Sequence, residues 1–361
     1  MKNDFIDLYD IEEKALQAMP ENIKSFIYGG AGKELSLQRN LKIFDSILLK
    51  PRVLRDIRTI DLHIKVGNTP LNSPILIAPM AFQGLLHHDA EIATAKAASS
   101  QRVCFIPSML SSSPMENIIK KTESPLWFQS YIYQDKEITK TLIQKAESVG
   151  YKAIVLTVDA PIYGKRKSES LHPLILKKES LPKNLIDLGI LPSNISPEKI
   201  AGFLSSLLEP AISWKNIEWI KSITKLPIIL KGIMSAKDAK IALKHKISTI
   251  IISNHGGRQL DTTRTSIEVL PEILRHTENR IEVLVDGGIR SGSDIFKAIA
   301  LGAKAVLIGR PVLSGLLMDG EKGVASVLNI LHKELEATMH LCGCKSISEI
   351  TEDHVTQPHT K

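Results

Sequence analysis

The 361 residues carry 46 Lys and Arg against 39 Asp and Glu, a formal net charge of +7, with 43% hydrophobic and 24% charged residues. That balance excludes a disordered chain and allows a large core, while the scattered Lys residues, never interleaved with aromatics, exclude a nucleic-acid-binding surface and leave a mild pull on anionic ligands. Cys104, Cys342 and Cys344 offer neither a disulfide framework nor zinc spacing, no run of 18 apolar residues occurs, the first ten residues lack a basic start and the last three are not a peroxisomal address, so a cytoplasmic protein without a metal or an integral membrane segment is expected.

In chain order, residues 1–74 read as short helices and a hairpin that cap one end of the main body. Eight short apolar runs come next, each ending in Gly, Pro, Ser or Asp: Ile75–Pro79, Val103–Ser108, Trp127–Ile132, Ala153–Asp159, Leu226–Gly232, Thr249–Gly256, Ile281–Gly288 and Ala305–Pro311. Apolar throughout, they suit strands buried on both faces, and most are spaced by the length of one βα unit. Eight such units predict an α/β fold of the (β/α)8 TIM-barrel type, with an open doubly wound sheet as the runner-up that lacks a G-x-G-x-x-G opening. The interval between the fourth and fifth strands breaks the rhythm. Its segment 168–197 has no clear period, and the part 168–212 reads as a lid-like excursion at the barrel mouth or as a disordered insertion. The chain is read as one domain over 1–361, with the N-terminal cap at 1–74 and the barrel at 75–345.

Barrel chemistry sits at the C-terminal ends of strands. Those ends carry Gln129 and Tyr131, Thr157 and Asp159, Lys231, Ser253 with Asn254 and His255, Asp286, and Gly309 with Arg310. The run Asp286-Gly287-Gly288-Ile289-Arg290-Ser291-Gly292 and the later Ile308-Gly309-Arg310-Pro311 read as a phosphate site, where glycines let amides approach an anion and a helix N-terminus adds donors. The alternative is that these glycines only make tight turns. In Asn254–Asp261 a His flanked by Gly stands three residues before Arg258, pairing a base with an anion clamp.

With SNHGGRQLD at 253–261, FIYGGAG at 26–32, IAPMAFQ at 77–83, WFQSYIY at 127–133, LTVDAPIYGKR at 156–166, ILKG at 229–232, DGGIRSGSDIFKA at 286–298 and IGRP at 308–311, the chain resembles the FMN-dependent 2-hydroxy-acid oxidases and dehydrogenases, the family of glycolate and lactate oxidase. The resemblance covers roughly 4–348 and implies a (β/α)8 barrel, FMN as cofactor and oxidation of an (S)-2-hydroxy acid to the 2-oxo acid. Oxygen is the implied acceptor, giving hydrogen peroxide, with a quinone or cytochrome as the alternative. It implies His255 as base with Asp159 as its partner, Arg258 and Arg166 on the substrate carboxylate, Tyr131 on the reacting oxygen and Lys231 beside the flavin N1/O2 edge. It places Pro79, Met80 and Ala81 against the ring, and Ser108, Gln129, Thr157 and Ser253 on the ring and ribityl chain. Asp286 falls on the ribityl hydroxyls, with Gly288, Arg290, Gly309 and Arg310 around the phosphate. A homotetramer is implied as well.

Three positions depart from the family pattern: Phe26 replaces a substrate-binding Tyr, Pro107 a flavin-contacting Ser and Met109 a substrate-facing Trp. Loss of one hydrogen bond to a carboxylate costs about 1.5–3 kcal/mol, which weakens the clamp without abolishing it. Phe26 and Met109 therefore predict a more apolar pocket for a longer or aromatic 2-hydroxy acid. A flavin-binding protein with decayed activity, or a flavin-dependent isomerase on the same barrel, are the competing readings, opposed by the intact His255, Arg258, Arg166 and Lys231.

Overall fold

A computed structural model describes residues 5–192 and 195–356. Two short strands, β1 (Ile64–Val66) and β2 (Thr69–Leu71), pair antiparallel; β3 (Ile75–Ile77), β4 (Cys104–Phe105), β5 (Trp127–Ser130), β6 (Ala153–Thr157), β7 (Ile228–Ile233), β8 (Thr249–Ile252), β9 (Glu282–Asp286) and β10 (Ala305–Ile308) form one parallel sheet. Their order is β4-β3-β10-β9-β8-β7-β6-β5. The two outer strands meet through parallel bridges Phe105–Leu126 and Ser108–Gln129, so the sheet closes into the expected barrel and the open-sheet alternative falls. Pro107 serves this seam as an acceptor: its carbonyl takes the Gln129 amide at 3.0 Å, a role that needs no N–H of its own.

Side chains alternate across each strand, and the alternation divides the core in two. Ile75, Ile77, Phe105, Phe128, Ile154, Leu156, Leu230, Ile250, Ile252, Val283 and Val285 pack outwards against the helices. Leu76, Cys104, Trp127, Val155, Ile229, Ile251, Leu284 and Leu307 fill the barrel interior together with Val66 and Leu71 of the hairpin. The hairpin thus plugs the end where strands begin, and the Gly67 amide donates to Glu282 at the start of β9. Two residues beyond Ile106, Trp127, Val155, Ile229, Ile251 and Leu284, the inward positions are Ser108, Gln129, Thr157, Lys231, Ser253 and Asp286. A polar layer therefore lies directly above an apolar one.

Residues before the barrel do more than cap one end. While the hairpin closes the bottom, the helices Glu21–Tyr28 and Leu35–Lys42 reach the opposite mouth, where the Ala31 amide donates to the Gly257 carbonyl at 2.8 Å and that of Ser36 to Asp261 at 2.8 Å. The excursion is built of short helices, Lys167–Leu171, Lys183–Ile186 and Pro197–Ser206. Leu174, Leu176, Leu185, Ile200 and Leu204 are buried there, and backbone hydrogen bonds tie it to the loop after β4, with Lys183 N donating to Ser111 O at 3.0 Å. Its described part thus packs against the barrel mouth; residues 193–194 lie outside the described residues.

Candidate active site

A cavity opens at the C-terminal end of the barrel, lined by Pro79, Met80, Ala81, Ser108, Gln129, Tyr131, Thr157, Arg166, Lys231, His255, Arg258, Asp286, Gly288, Arg290, Gly309 and Arg310. Of the strand-end residues singled out in the sequence, Gln129, Tyr131, Thr157, Lys231, His255, Asp286, Gly309 and Arg310 line it, while Asp159, Ser253 and Asn254 stand behind the wall, Asn254 paired with Asn40. Its floor is the polar layer, organised as two linked groups. Ser108 donates to Gln129 at 2.8 Å, and Gln129 to Thr157 at 3.1 Å. Lys231 Nζ donates to Ser253 at 2.9 Å and pairs with Asp286 at 3.1 Å. Burial works against the Lys231 charge, but Asp286 and Asp159 outweigh it and lift its pKa.

At one end of the cavity stands His255. Its Nδ1 meets Asp159 at 3.0 Å, which leaves Nε2 as the free ring nitrogen. Its backbone sits at φ +58°, an uncommon conformation for a residue with a side chain, held by the His255 amide donating to Ser253 Oγ at 3.0 Å. Asp159 approaches because β7 bulges at Gly232, where a Cβ would lie 2.5 Å from that of Asp159. Burial raises the Asp159 pKa, while His255 and Lys231 overcome it, leaving the carboxylate below its usual range.

Arg166 and Arg258 also face this end. Arg258 Nη1 donates to the carbonyls of Phe26, Ile27 and Gly29, and its guanidinium lies 5.2 Å from the Phe26 ring centroid. Burial, then Arg166 and Arg310, push its pKa down. Glu169, invisible to motif reasoning, touches both: 2.6 Å from Arg166 and 3.5 Å from Arg258. Tyr163, Phe82 and Leu110 complete the wall and were likewise missed, since nothing in their spacing marks them.

Three expectations change. Met109 does not reach the cavity: it is fully buried, its sulfur accepting from the Tyr131 amide at 3.0 Å. Ser108 and Leu110 share the inward parity of the closing seam, so the residue between them points outwards. Ser253 lies beneath the wall, its hydroxyl engaged by Lys231 and the His255 amide, so it orients those groups instead of meeting a ligand. The helix N-terminus after β9 is also occupied, because the amides of Arg290 and Ser291 donate to Asp294 at 2.9 and 3.0 Å and that of Gly292 to Glu334 at 2.8 Å.

The cavity wall around Arg310 still suits an anion. Arg290 is buried and pairs with Glu12 of the first helix. Beside it Arg310 Nη2 is buried without a partner among the described residues, as is Asp286 Oδ1. Burial, with Arg290 adding to it, pushes the Arg310 pKa down to about 10. A buried donor on a crowded cation and a buried carboxylate oxygen, both unsatisfied at a cavity wall, call for a ligand carrying an anionic terminus and hydroxyl groups. A phosphorylated ribityl chain meets that demand, so the residues fit FMN. Gly288 lacks a side chain for a different reason: a Cβ would lie 1.7 Å from the Asn40 carbonyl, so the N-terminal segment, not the ligand, imposes it.

A family model described as FMN-dependent dehydrogenase matches residues 15–357. The 2-hydroxyacid oxidase 2 of Bos taurus is 41% identical over 350 residues, covering 96% of this chain and 97% of that protein. L-lactate oxidase of Nostoc sp. is 41% identical over 351 residues, covering 96% of both. Among solved structures, mandelate oxidase with (S)-4-hydroxymandelic acid superposes with a TM-score of 0.91 at 36% identity, covering 98% of each chain.

Proposed function

The chain belongs to the FMN-dependent dehydrogenase family, and from that premise we propose that it is an FMN-dependent oxidase converting an (S)-2-hydroxy acid to the 2-oxo acid, with oxygen as acceptor and hydrogen peroxide as product. The observation that carries this reading is a single one. An imidazole held at 3.0 Å by a carboxylate shares the cavity wall with the partly buried Arg166 and Arg258, and the same wall presents a guanidinium and a carboxylate that are unsatisfied among the described residues.

Arg166 and Arg258 bind the substrate carboxylate and fix which carbon lies in reach of His255. His255 Nε2 takes a proton from the substrate, and Asp159 stabilises the resulting imidazolium in a site where a lone charge would be costly. Tyr131 points its phenol into the same space, a donor for the substrate oxygen, and burial holds that phenol well above its usual pKa. FMN, when bound, supplies the acceptor for the two electrons that leave the substrate carbon. Arg310 and Arg290 would hold its phosphate, Asp286 its ribityl hydroxyls, and Lys231 with Gln129 the polar edge of its ring.

We also assign the substrate a longer or aromatic side chain. Phe26 and Phe82, with centroids 5.9 Å apart, and Leu110, Tyr131 and Tyr163 form the wall around the clamp. Phe26 and Leu110 support this preference; Met109, turned away, does not. The reading extends to a cytoplasmic homotetramer, which light scattering and fractionation check; among the described residues no helix is long and apolar enough to cross a membrane.

Anaerobic titration of the purified protein with lactate, 2-hydroxyoctanoate and mandelate, followed by air, tests both statements. Bleaching of the flavin, its return in air with peroxide, and a higher kcat/KM for the larger acids are expected. A yellow protein that no 2-hydroxy acid bleaches overturns the activity; a clear preference for lactate overturns the pocket assignment; slow return in air accompanied by fast reduction of a quinone assigns a dehydrogenase.

A further inference from the structure

We propose that Glu169 is a specificity-determining residue that sets the net charge of the substrate clamp at one positive unit and thereby selects acids with a single carboxylate. The inference rests on the assignment of Arg166 and Arg258 as that clamp. Glu169 lies on the helix Lys167–Leu171, immediately after Arg166. That helix is pressed on the helix Glu21–Tyr28 so closely that a Cβ on Gly29 would stand 2.3 Å from Ser168 Oγ, which fixes the direction from which Glu169 arrives. Its carboxylate contacts Arg166 at 2.6 Å and Arg258 at 3.5 Å, yet it is absent from the cavity wall that both arginines line. Glu169 therefore approaches the pair from behind and leaves their inner faces for a ligand.

Two guanidiniums brought together away from water repel, and an isolated pair would attract the most negative ligand in reach. One carboxylate behind them cancels one of the two charges. Two Arg and one Glu leave a single net positive charge, the complement of a monocarboxylate. Beside His255, the wall around the clamp is made by Phe26, Phe82, Leu110, Tyr131 and Tyr163, and a second carboxylate set against those side chains loses its hydration without a matching cation. Selection comes from what the site withholds from a dianion as much as from what it offers a monoanion. Glu169 need not touch substrate for this; it acts through the arginines.

The test compares oxalate with oxamate, which have nearly the same shape and differ by one charge at neutral pH. Their dissociation constants are read from the perturbation of the flavin spectrum in the oxidised holoenzyme. In the wild type oxamate is expected to compete well with oxalate. In E169Q both constants move, and the ratio of oxalate to oxamate affinity is expected to rise about tenfold, because the dianion feels the freed charge twice over. E169D keeps the charge and is expected to hold the ratio within about threefold of the wild type. General loosening of the site shifts both probes together, so the ratio separates charge from architecture. An unchanged ratio in E169Q overturns the proposal, as does a shift in E169D equal to that in E169Q. A wild type that binds neither probe and is bleached by no 2-hydroxy acid overturns the proposed function and this inference together, whereas an active wild type with an unchanged E169Q ratio overturns this inference alone.

Discussion

Two adjoining charge clusters on the cavity wall are built from the same parts, and they meet where Arg258 and Arg310 both donate to the Ile27 carbonyl. Each has two buried or nearly buried arginines and one glutamate brought in from outside the barrel: Arg290 and Arg310 with Glu12 from the first helix, Arg166 and Arg258 with Glu169 from the excursion. They differ in what accompanies the charges. Arg310 donates to the carbonyls of Ile27 and Gly256 at 2.9 and 3.1 Å, and one of its nitrogens is left unsatisfied among the described residues, as is Asp286 Oδ1; Arg166 and Arg258 are accompanied by His255, Tyr131 and Tyr163 on the cavity wall. The first set can only hold a ligand, whereas the second holds one and moves a proton. Cationic pairs thus serve affinity in one cluster and orientation in the other, and the groups beside them decide which.

That division predicts separable losses. The largest belongs to H255N, chosen because Asn tolerates the φ of +58° found at this position. Stopped-flow reduction by the preferred acid is expected to slow by about a thousandfold or more, with the flavin still bound; a loss below tenfold would remove His255 from proton transfer. Next comes R310M, expected to weaken FMN binding by about ten- to hundredfold, while the reloaded enzyme keeps its KM within about threefold. Equal damage to KM would show that the two clusters, which meet at the Ile27 carbonyl, are not independent. R166M inverts the pattern, with KM rising by about tenfold and FMN retention on dialysis unchanged.

Much of the fold was legible because a strand buried on both faces leaves a strong local signal, and eight such runs admit few closures. The polar floor was legible for the same reason: parity places Gln129, Thr157, Lys231 and Asp286 on one face. Where the sequence misled, a register was missing. Met109 and Leu110 are adjacent, and only the seam pairing of Ser108 with Gln129 decides which of them turns inwards. Glu12 and Glu169 were illegible for another cause. Glu12 meets Arg290 across 278 positions, and Glu169 belongs to a five-residue helix, too short to show a period. Charges that neutralise a site from behind carry no motif.

A third glutamate sharpens the comparison because no cation pairs with it among the described residues. Glu91, fully buried, accepts from the amides of Gln83 and Ser112 at 3.2 and 3.1 Å, tying the loop after β3 to the loop after β4 beneath the cavity. Burial pushes its pKa up to about 7, against the pull of those amides. A carboxyl whose folded pKa is raised binds its proton more tightly in the native state, so its contribution to stability is complete below the ordinary carboxylate range and is lost as pH rises through about 7. E91Q keeps an oxygen for both amides and has no proton to lose. Its urea midpoint is expected to exceed that of the wild type at pH 8, with the gap closing by pH 5, while the oxalate to oxamate ratio stays as in the wild type. A gap of the same size at both pH values would mean that Glu91 is already ionised in the folded protein, and that a buried carboxylate here needs no arginine to keep its charge.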